Sequence, residues 1–286
     1  MSGDYTVQRL DDAAAFLEST RALRAREPVL TNVLGSVSLA VVAGRRYDGA
    51  AWWLVRGAAP DDEVVGAAML TPPFPLTVSP MPEAAARALG AALRAEAHAG
   101  ALTVGEVGGP PGAATAVADA LGPGAEPVMD ELVQVLDVLT PAAGVAGRAR
   151  AATRDDIDLV RAWLLDFAAE AGLPPVQDDD ALAARLDSGS LLLWLDADGT
   201  PVSLAGHAPP VATPTGTVTR IGPVWTPPQH RRRGYAAAVT GHLAALLAST
   251  GATVMLFTDA SNPTSNGVYA RLGFRVVGSW VQLALV

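Results

Sequence analysis

The chain contains neither cysteine nor lysine among its 286 residues. The first absence excludes thiol nucleophiles, disulfide bonds and cysteine–zinc sites. The second excludes a Walker-type lysine, a pyridoxal Schiff base and any lysine nucleophile. All 20 basic residues are therefore arginines, set against 29 acidic ones, and the net charge of −9 argues against nucleic acid as a partner. Histidine is scarce as well. His98, His207, His230 and His242 are scattered without metal-ligand spacing, so no metal is expected. No G-x-S-x-G elbow is present. The N-terminus lacks a basic region followed by an apolar run, so no signal peptide is expected. One uncharged stretch, Tyr235 to Phe257, is long enough to cross a bilayer, but Gly241-His242 and Ser249-Thr250-Gly251 interrupt it. A buried helix, a glycine stop and a buried strand account for it better. The expectation is a soluble cytoplasmic protein without a membrane partner.

What the chain has in abundance is apolar material. Half of its residues are hydrophobic, enough to fill the cores of two domains at this length. The acidic charge is uneven: residues 1–145 carry 17 acids and 9 arginines, net −8, and residues 146–286 carry 12 acids and 11 arginines, net −1. Pro141 to Gly147 is small and uncharged and reads as a linker between domains at 1–140 and 148–286. In the first half, periodicity predicts a helix over Leu10 to Leu23 and irregular chain over Ala25 to Gly35. A strand is a candidate at Val37 to Ala43, and firmer strands follow at Ala50 to Val55 and Val64 to Leu70, with a turn at Asp61-Asp62 between them. A helix over Pro82 to Ala99, a strand at Leu102 to Val107, a short helix from Pro110-Pro111-Gly112 to near Leu121-Gly122 and a strand at Val128 to Leu139 complete that half. The second half repeats the order of helix, strands, long helix, strand, short helix and strand.

The chain is organised around Thr217 to Phe274. Val218 to Thr226 reads as a strand, and Gly222-Pro223 within it marks a bulge, because proline cannot donate to a ladder. The basic turn Gln229-His230-Arg231-Arg232-Arg233-Gly234-Tyr235-Ala236 then opens an alanine-rich helix. Cations at a helix N-terminus oppose the macrodipole, at a cost of roughly 0.3–1 kcal/mol each, which a bound anion would offset. Free N–H groups beside a glycine make a phosphate cradle; a solvated basic loop is the simpler alternative. A strand at Thr253 to Thr258 leads to Asn262-Pro263, which reads as an N-cap and first helical residue, and Leu272-Gly273 reads as that helix's end. Asn262, Ser265 and Tyr269 share one helical face. Tyr269 there is placed either to use its hydroxyl or to pack its ring against the sheet.

Together, V-x-x-P, R-x-x-G-x-A and N-x-x-S-x-x-x-Y-x-x-x-G-F resemble the GNAT superfamily of acyl-CoA N-acyltransferases. The motifs cover Val224 to Phe274, and Ala151 to Leu285 has the order of elements that fold requires. The resemblance implies an α+β protein of two GNAT-like domains, each a mixed, mostly antiparallel central sheet flanked by helices. It further implies acetyl-CoA as co-substrate and a small-molecule amine as acceptor. The amides of Arg231, Arg232, Arg233, Gly234, Tyr235 and Ala236 would hold the pyrophosphate. The strand edge at Val224, Trp225 and Thr226 would pair with the pantetheine arm, with Asn262 and Ser265 beside it, and Tyr269 would protonate the leaving thiolate. Many members carry a glutamate general base on the strand before the turn; here Thr217, Thr219 and Arg220 occupy that stretch. His207, Asp166, Glu170, Asp259 and a water relay all remain candidate bases. In the first half, setting Leu121-Gly122 on Leu272-Gly273 puts Ala118 at Tyr269, Ala114 at Ser265 and Pro111 at Asn262. That half is read as a GNAT-like domain without a coenzyme site. A coenzyme A-binding sensor without catalysis is the alternative function.

Overall fold

Alternating apolar strands and alanine-rich helices lay down the same series of elements twice. The structure, a computed structural model, describes residues 5–57, 62–175 and 178–286. The first half runs β1 (Thr6–Leu10), α1 (Ala13–Ser19), α2 (Arg21–Arg26), α3 (Asn32–Val42), β2 (Ala51–Arg56), β3 (Val64–Leu70), β4 (Leu76–Val78), α4 (Glu83–His98), β5 (Glu106–Gly109), α5 (Pro111–Leu121) and β6 (Ala125–Leu136). The second runs β7 (Arg148–Ala151), α6 (Ile157–Glu170), α7 (Asp179–Asp187), β8 (Leu191–Leu195), β9 (Pro201–His207), β10 (Val211–Thr213), β11 (Gly216–Trp225), α8 (Tyr235–Ser249), β12 (Ala252–Asp259), α9 (Pro263–Leu272) and β13 (Phe274–Leu285).

The strands form one mixed, mostly antiparallel sheet in the order β1-β2-β3-β4-β5-β13-β6-β12-β11-β9-β8-β7, with β10 paired to β11 off that path. The last strands of the two halves are exchanged. β13 lies between β5 and β6, and β6 lies between β13 and β12, so each half's sheet is continued by the other's final strand. The segment 141–147 has no regular secondary structure, but the sheet does not divide there. β6 and β13 are both twelve residues long and pair along most of their length, a ladder that ties the halves through backbone hydrogen bonds rather than through a docked surface.

Three expectations change. The helix expected over Leu10 to Leu23 is the end of β1 followed by α1 and α2, with the Asp12 side chain accepting from the Ala15 N–H at 2.6 Å to start α1. The candidate strand at Val37 to Ala43 is the end of α3, and α3 begins inside the segment read as irregular. Its β-branched residues suggested a strand, but burial at Leu34, Gly35 and Ser38 follows the helical spacing, and tertiary packing overrides propensity. Gly35 permits this, since a Cβ there would stand 2.8 Å from Val211 on β10. The turn expected at Asp61-Asp62 falls partly outside the described residues. α8 ends before Gly251 and β12 follows, and no helix of the described residues is long and apolar enough to cross a membrane.

The helices cover both faces of the second half's sheet. α8 and α9 close one face over Ile221, Val239, Leu243, Val254, Leu256, Leu272 and Phe274. On the other, Val29 and Leu30 from the first half pack on Val133, Val218, Met255 and Trp280, and the buried Asn32 donates to the Val218 carbonyl at 3.0 Å.

Candidate active site

β11 and β12 run parallel and paired from Thr217↔Ala252 to Ile221↔Leu256, and then they part. β12 continues to Asp259, while β11 shifts register against β9 between Ile221 and Val224. The cause is local: Gly222-Pro223, a cis pair in this structure, interrupts the ladder at that point. Beyond it Val224 and Trp225 remain paired to β9 on one side only, so their other side opens on a slot. Ser203 fixes the strand end by donating to the Trp225 carbonyl at 3.0 Å and meeting the Thr226 hydroxyl at 2.8 Å.

The basic turn sits at the mouth of that slot. After a short 3₁₀ turn at Pro228–His230, Arg232 (φ 61°) and Gly234 (φ 83°) both take left-handed backbone, and Gly234 is the N-cap of α8. The first backbone donor into the helix is Ala238, bonded to the Gly234 carbonyl at 3.0 Å. The N–H groups of Arg232 to Ala237 therefore lack backbone acceptors among the described residues. That run of free donors is a ready anion cradle. The side chain of Arg231 does not join it. Its guanidinium lies 4.8 Å over the Trp225 ring and donates to the Thr226 carbonyl (2.9 Å) and to Glu170 (2.7 Å), clamping the turn to β11 and α6. Arg232 and Arg233 are exposed. A Cβ on Gly234 would stand 2.9 Å from Val145 of the 141–147 segment, which lies against the turn.

On the far side of the slot, Asn262 caps α9, its side chain accepting from the Ser265 N–H at 3.0 Å. Two turns on, the half-buried Tyr269 packs edge-on against Phe274, ring centroids 6.0 Å apart, and borders the same apolar cluster as Val224. Its ring packs, and its hydroxyl makes no hydrogen bond among the described residues. Burial pushes its pKa up to about 12, so the phenol holds its proton throughout the neutral range.

The candidate bases are separated by their partners. Glu170 is held by Arg231, and Asp259 accepts from the Ser261 N–H and hydroxyl at 2.7 Å. Asp166 is exposed on α6. His207 ends β9, with Nδ1 2.9 Å from the Ala208 carbonyl, and its pKa is lowered chiefly by burial. A further carboxylate went unnoticed in the sequence: Glu131. It lies on β6, opposite Asp259 of β12, and burial pushes its pKa up while Arg220 pulls it down. Only the strand exchange brings Glu131 here, so no local signal marks it.

The sequence model of the FR47-like protein family matches residues 213–282, the span that holds the slot, the turn and α9. No curated protein matches the chain. Among solved structures, a GNAT-family acetyltransferase from Colwellia psychrerythraea superposes with a TM-score of 0.64 at 13% identity, covering 98% of this chain and 100% of its own. A GCN5-related N-acetyltransferase from Sphaerobacter thermophilus gives 0.59 at 18%, covering 98% and 94%. A tandem GNAT protein from the clavulanic acid biosynthesis pathway gives 0.60 at 16%, covering 98% of each chain. What these likenesses share with the chain, over nearly its whole length, is the fold of the GNAT acetyltransferases.

Proposed function

We propose that the protein is an N-acetyltransferase that moves an acetyl group from acetyl-CoA to a primary amine of a small molecule. The observation that carries this reading is the parting of β11 from β12 after Ile221↔Leu256, beside the unbonded N–H groups of Arg232 to Ala237. The cradle fits a pyrophosphate: it offers free donors, the exposed Arg232 and Arg233, which make no ion pair among the described residues, and a glycine in left-handed backbone that starts α8. Val224, Trp225 and Thr226 would line the pantetheine arm, with Asn262 and Ser265 opposite. Acetyl-CoA supplies an activated acetyl thioester. Tyr269 holds a proton at its phenolic oxygen and gives it to the departing sulfur. A backbone N–H near Trp225 would stabilise the developing oxyanion. Glu131 is the carboxylate best placed to take a proton from an acceptor ammonium, since no other candidate combines burial with a free side chain.

The first half would wall the acceptor cleft and hold no coenzyme. Its turn before α4 contains Pro80 and Pro82, which lack N–H groups, and α4 opens on Glu83, whose charge would repel a phosphate. A second reading, a coenzyme A-binding sensor, draws on Arg220 standing in the stretch where family members carry a catalytic glutamate. The deciding experiment is thiol release from acetyl-CoA across a panel of primary amines. Acetylation of at least one amine supports the enzyme. Tight acetyl-CoA binding with no amine acetylated would establish the sensor.

A further inference from the structure

Several exposed arginines are paired: Arg21 with Glu18, Arg26 with Glu63, Arg87 with Glu83, Arg154 with Asp187. Such surface pairs contribute little. Three enclosed ones, Arg45 in the segment after α3, Arg185 on α7 and Arg220 on β11, make no ion pair and no side-chain hydrogen bond among the described residues. The Nε atoms of Arg45 and Arg220 are fully enclosed with no partner. The terminal nitrogens of Arg220 make no hydrogen bond among the described residues, and one of them stands 3.9 Å from where a Cβ on Gly222 would be, at the break in β11. Arg45 and Arg185 line one cavity, and Arg185, pulled down to about 10 by burial first, also feels Arg45 and Arg220. An arginine stays protonated under these conditions, and half-buried guanidinium groups of like charge with no counter-ion are costly to keep.

The carboxylates nearby do not neutralise it. Asp178 spends its side chain capping α7 at Ala181, and Asp179 is paired with Arg161. Glu131 acts on Arg220 without forming an ion pair. A cavity of about 80 Å³ opens among Arg45, Arg161, Arg185, Leu164, Asp178 and Asp179, with room for a small polar group; Arg220, on β11, stands beyond its lining. Tyr47, with Arg45 stacked 4.8 Å over its ring, stands close to Arg220 and Asp178. Arg220 immediately precedes Ile221, the last β11 residue paired to β12, so the cluster adjoins the opening of the slot. It lies on the sheet face of Val218 and Met255, opposite α8.

We propose that Arg45, Arg185 and Arg220 form an anion subsite, and that the acceptor is a primary amine whose molecule also carries a carboxylate or a phosphate. This rests on the N-acetyltransferase reading for the word acceptor; the anion subsite itself does not. The amine would then stand by the slot with its acidic group held by the arginines, matching charge that the chain leaves unmatched.

The test is calorimetry on the full-length, coenzyme-free protein with phosphoethanolamine, β-alanine and ethanolamine as probes. The first two offer phosphate and carboxylate; the third offers the amine alone. At least one anionic amine is expected to bind and to raise the melting temperature, with ethanolamine doing neither. Arg220→Met and Arg185→Gln should each weaken that binding tenfold or more, and Arg220→Met should raise the melting temperature of the ligand-free protein by removing an unpaired enclosed charge. Gly234→Ala should leave the affinity unchanged, which separates this subsite from the turn. Binding of ethanolamine as tight as that of the anionic amines, no binding of either anionic amine, or binding that survives both arginine substitutions overturns the proposal. Because no coenzyme is needed, binding without acetyl transfer would refute the transferase reading and keep the subsite. Acetylation confined to neutral amines would do the reverse.

Discussion

Replacing Gly234 by alanine should weaken acetyl-CoA binding far more than it weakens the fold. Gly234 has φ 83° and ψ 0°, a conformation that costs an L-residue roughly 1–2 kcal/mol. The added Cβ would also stand 2.9 Å from a Val145 methyl, but that is the end of a side chain on an irregular segment, and it can give way by a few tenths of an ångström. A loss of roughly 1–2 kcal/mol lowers the melting temperature of a chain this size by about 2–8 °C. Binding should suffer more. A turn driven out of left-handed backbone at residue 234 re-aims the N–H groups that would hold the pyrophosphate, and each charge-assisted hydrogen bond lost is worth about 1.5–3 kcal/mol, or about 10- to 100-fold in Kd. Calorimetry with acetyl-CoA reads the loss, and S-acetylpantetheine, which lacks the phosphates, should bind wild type and variant alike. The double variant Gly234→Ala/Val145→Ala removes the steric contact and keeps the backbone strain at residue 234, so its affinity should stay low. Unchanged acetyl-CoA affinity in a folded Gly234→Ala protein would refute the cradle. Recovery in the double variant would show that the glycine serves only the packing of the 141–147 segment.

Two further outcomes follow from the site. Tyr269→Phe should keep acetyl-CoA affinity and melting temperature, because the hydroxyl bonds nothing among the described residues, while kcat falls toward the low end of the ~10²–10⁴-fold typical of general acids; wild-type turnover in this variant would rule out the acid role. Glu131 has a raised pKa, so its proton-accepting form is lost as pH falls through a value above the usual carboxylate range. The acid limb of kcat/KM should lie there and vanish in Glu131→Gln. The same raised pKa favours folding below the unfolded value and loses that contribution as pH rises through the folded one, so Glu131→Gln should not lower the melting temperature at pH 8. An acid limb retained in Glu131→Gln would assign the base elsewhere.

The sequence by itself determined what short-range chemistry controls. Gly222-Pro223 marked the break in β11, Asn262-Pro263 and Leu272-Gly273 marked the ends of α9, and Gly234 marked the start of α8; each acts through its own backbone, so each is legible in place. The α+β fold class was legible for the same reason, since it follows from the order of periodic segments. The helical nature of Val37 to Ala43 was not, because its apolar, β-branched run suits a strand equally and only burial against Val211 decided. Tertiary structure alone decided the strand exchange, since pairing partners more than a hundred residues apart leave no local mark. With that exchange came Glu131 beside Asp259. The enclosed arginines were equally hidden. Arg45, Arg185 and Arg220 are single residues on three separate segments, and their significance is a shared lack of counter-charge, which is a property of the space they face and of no segment by itself.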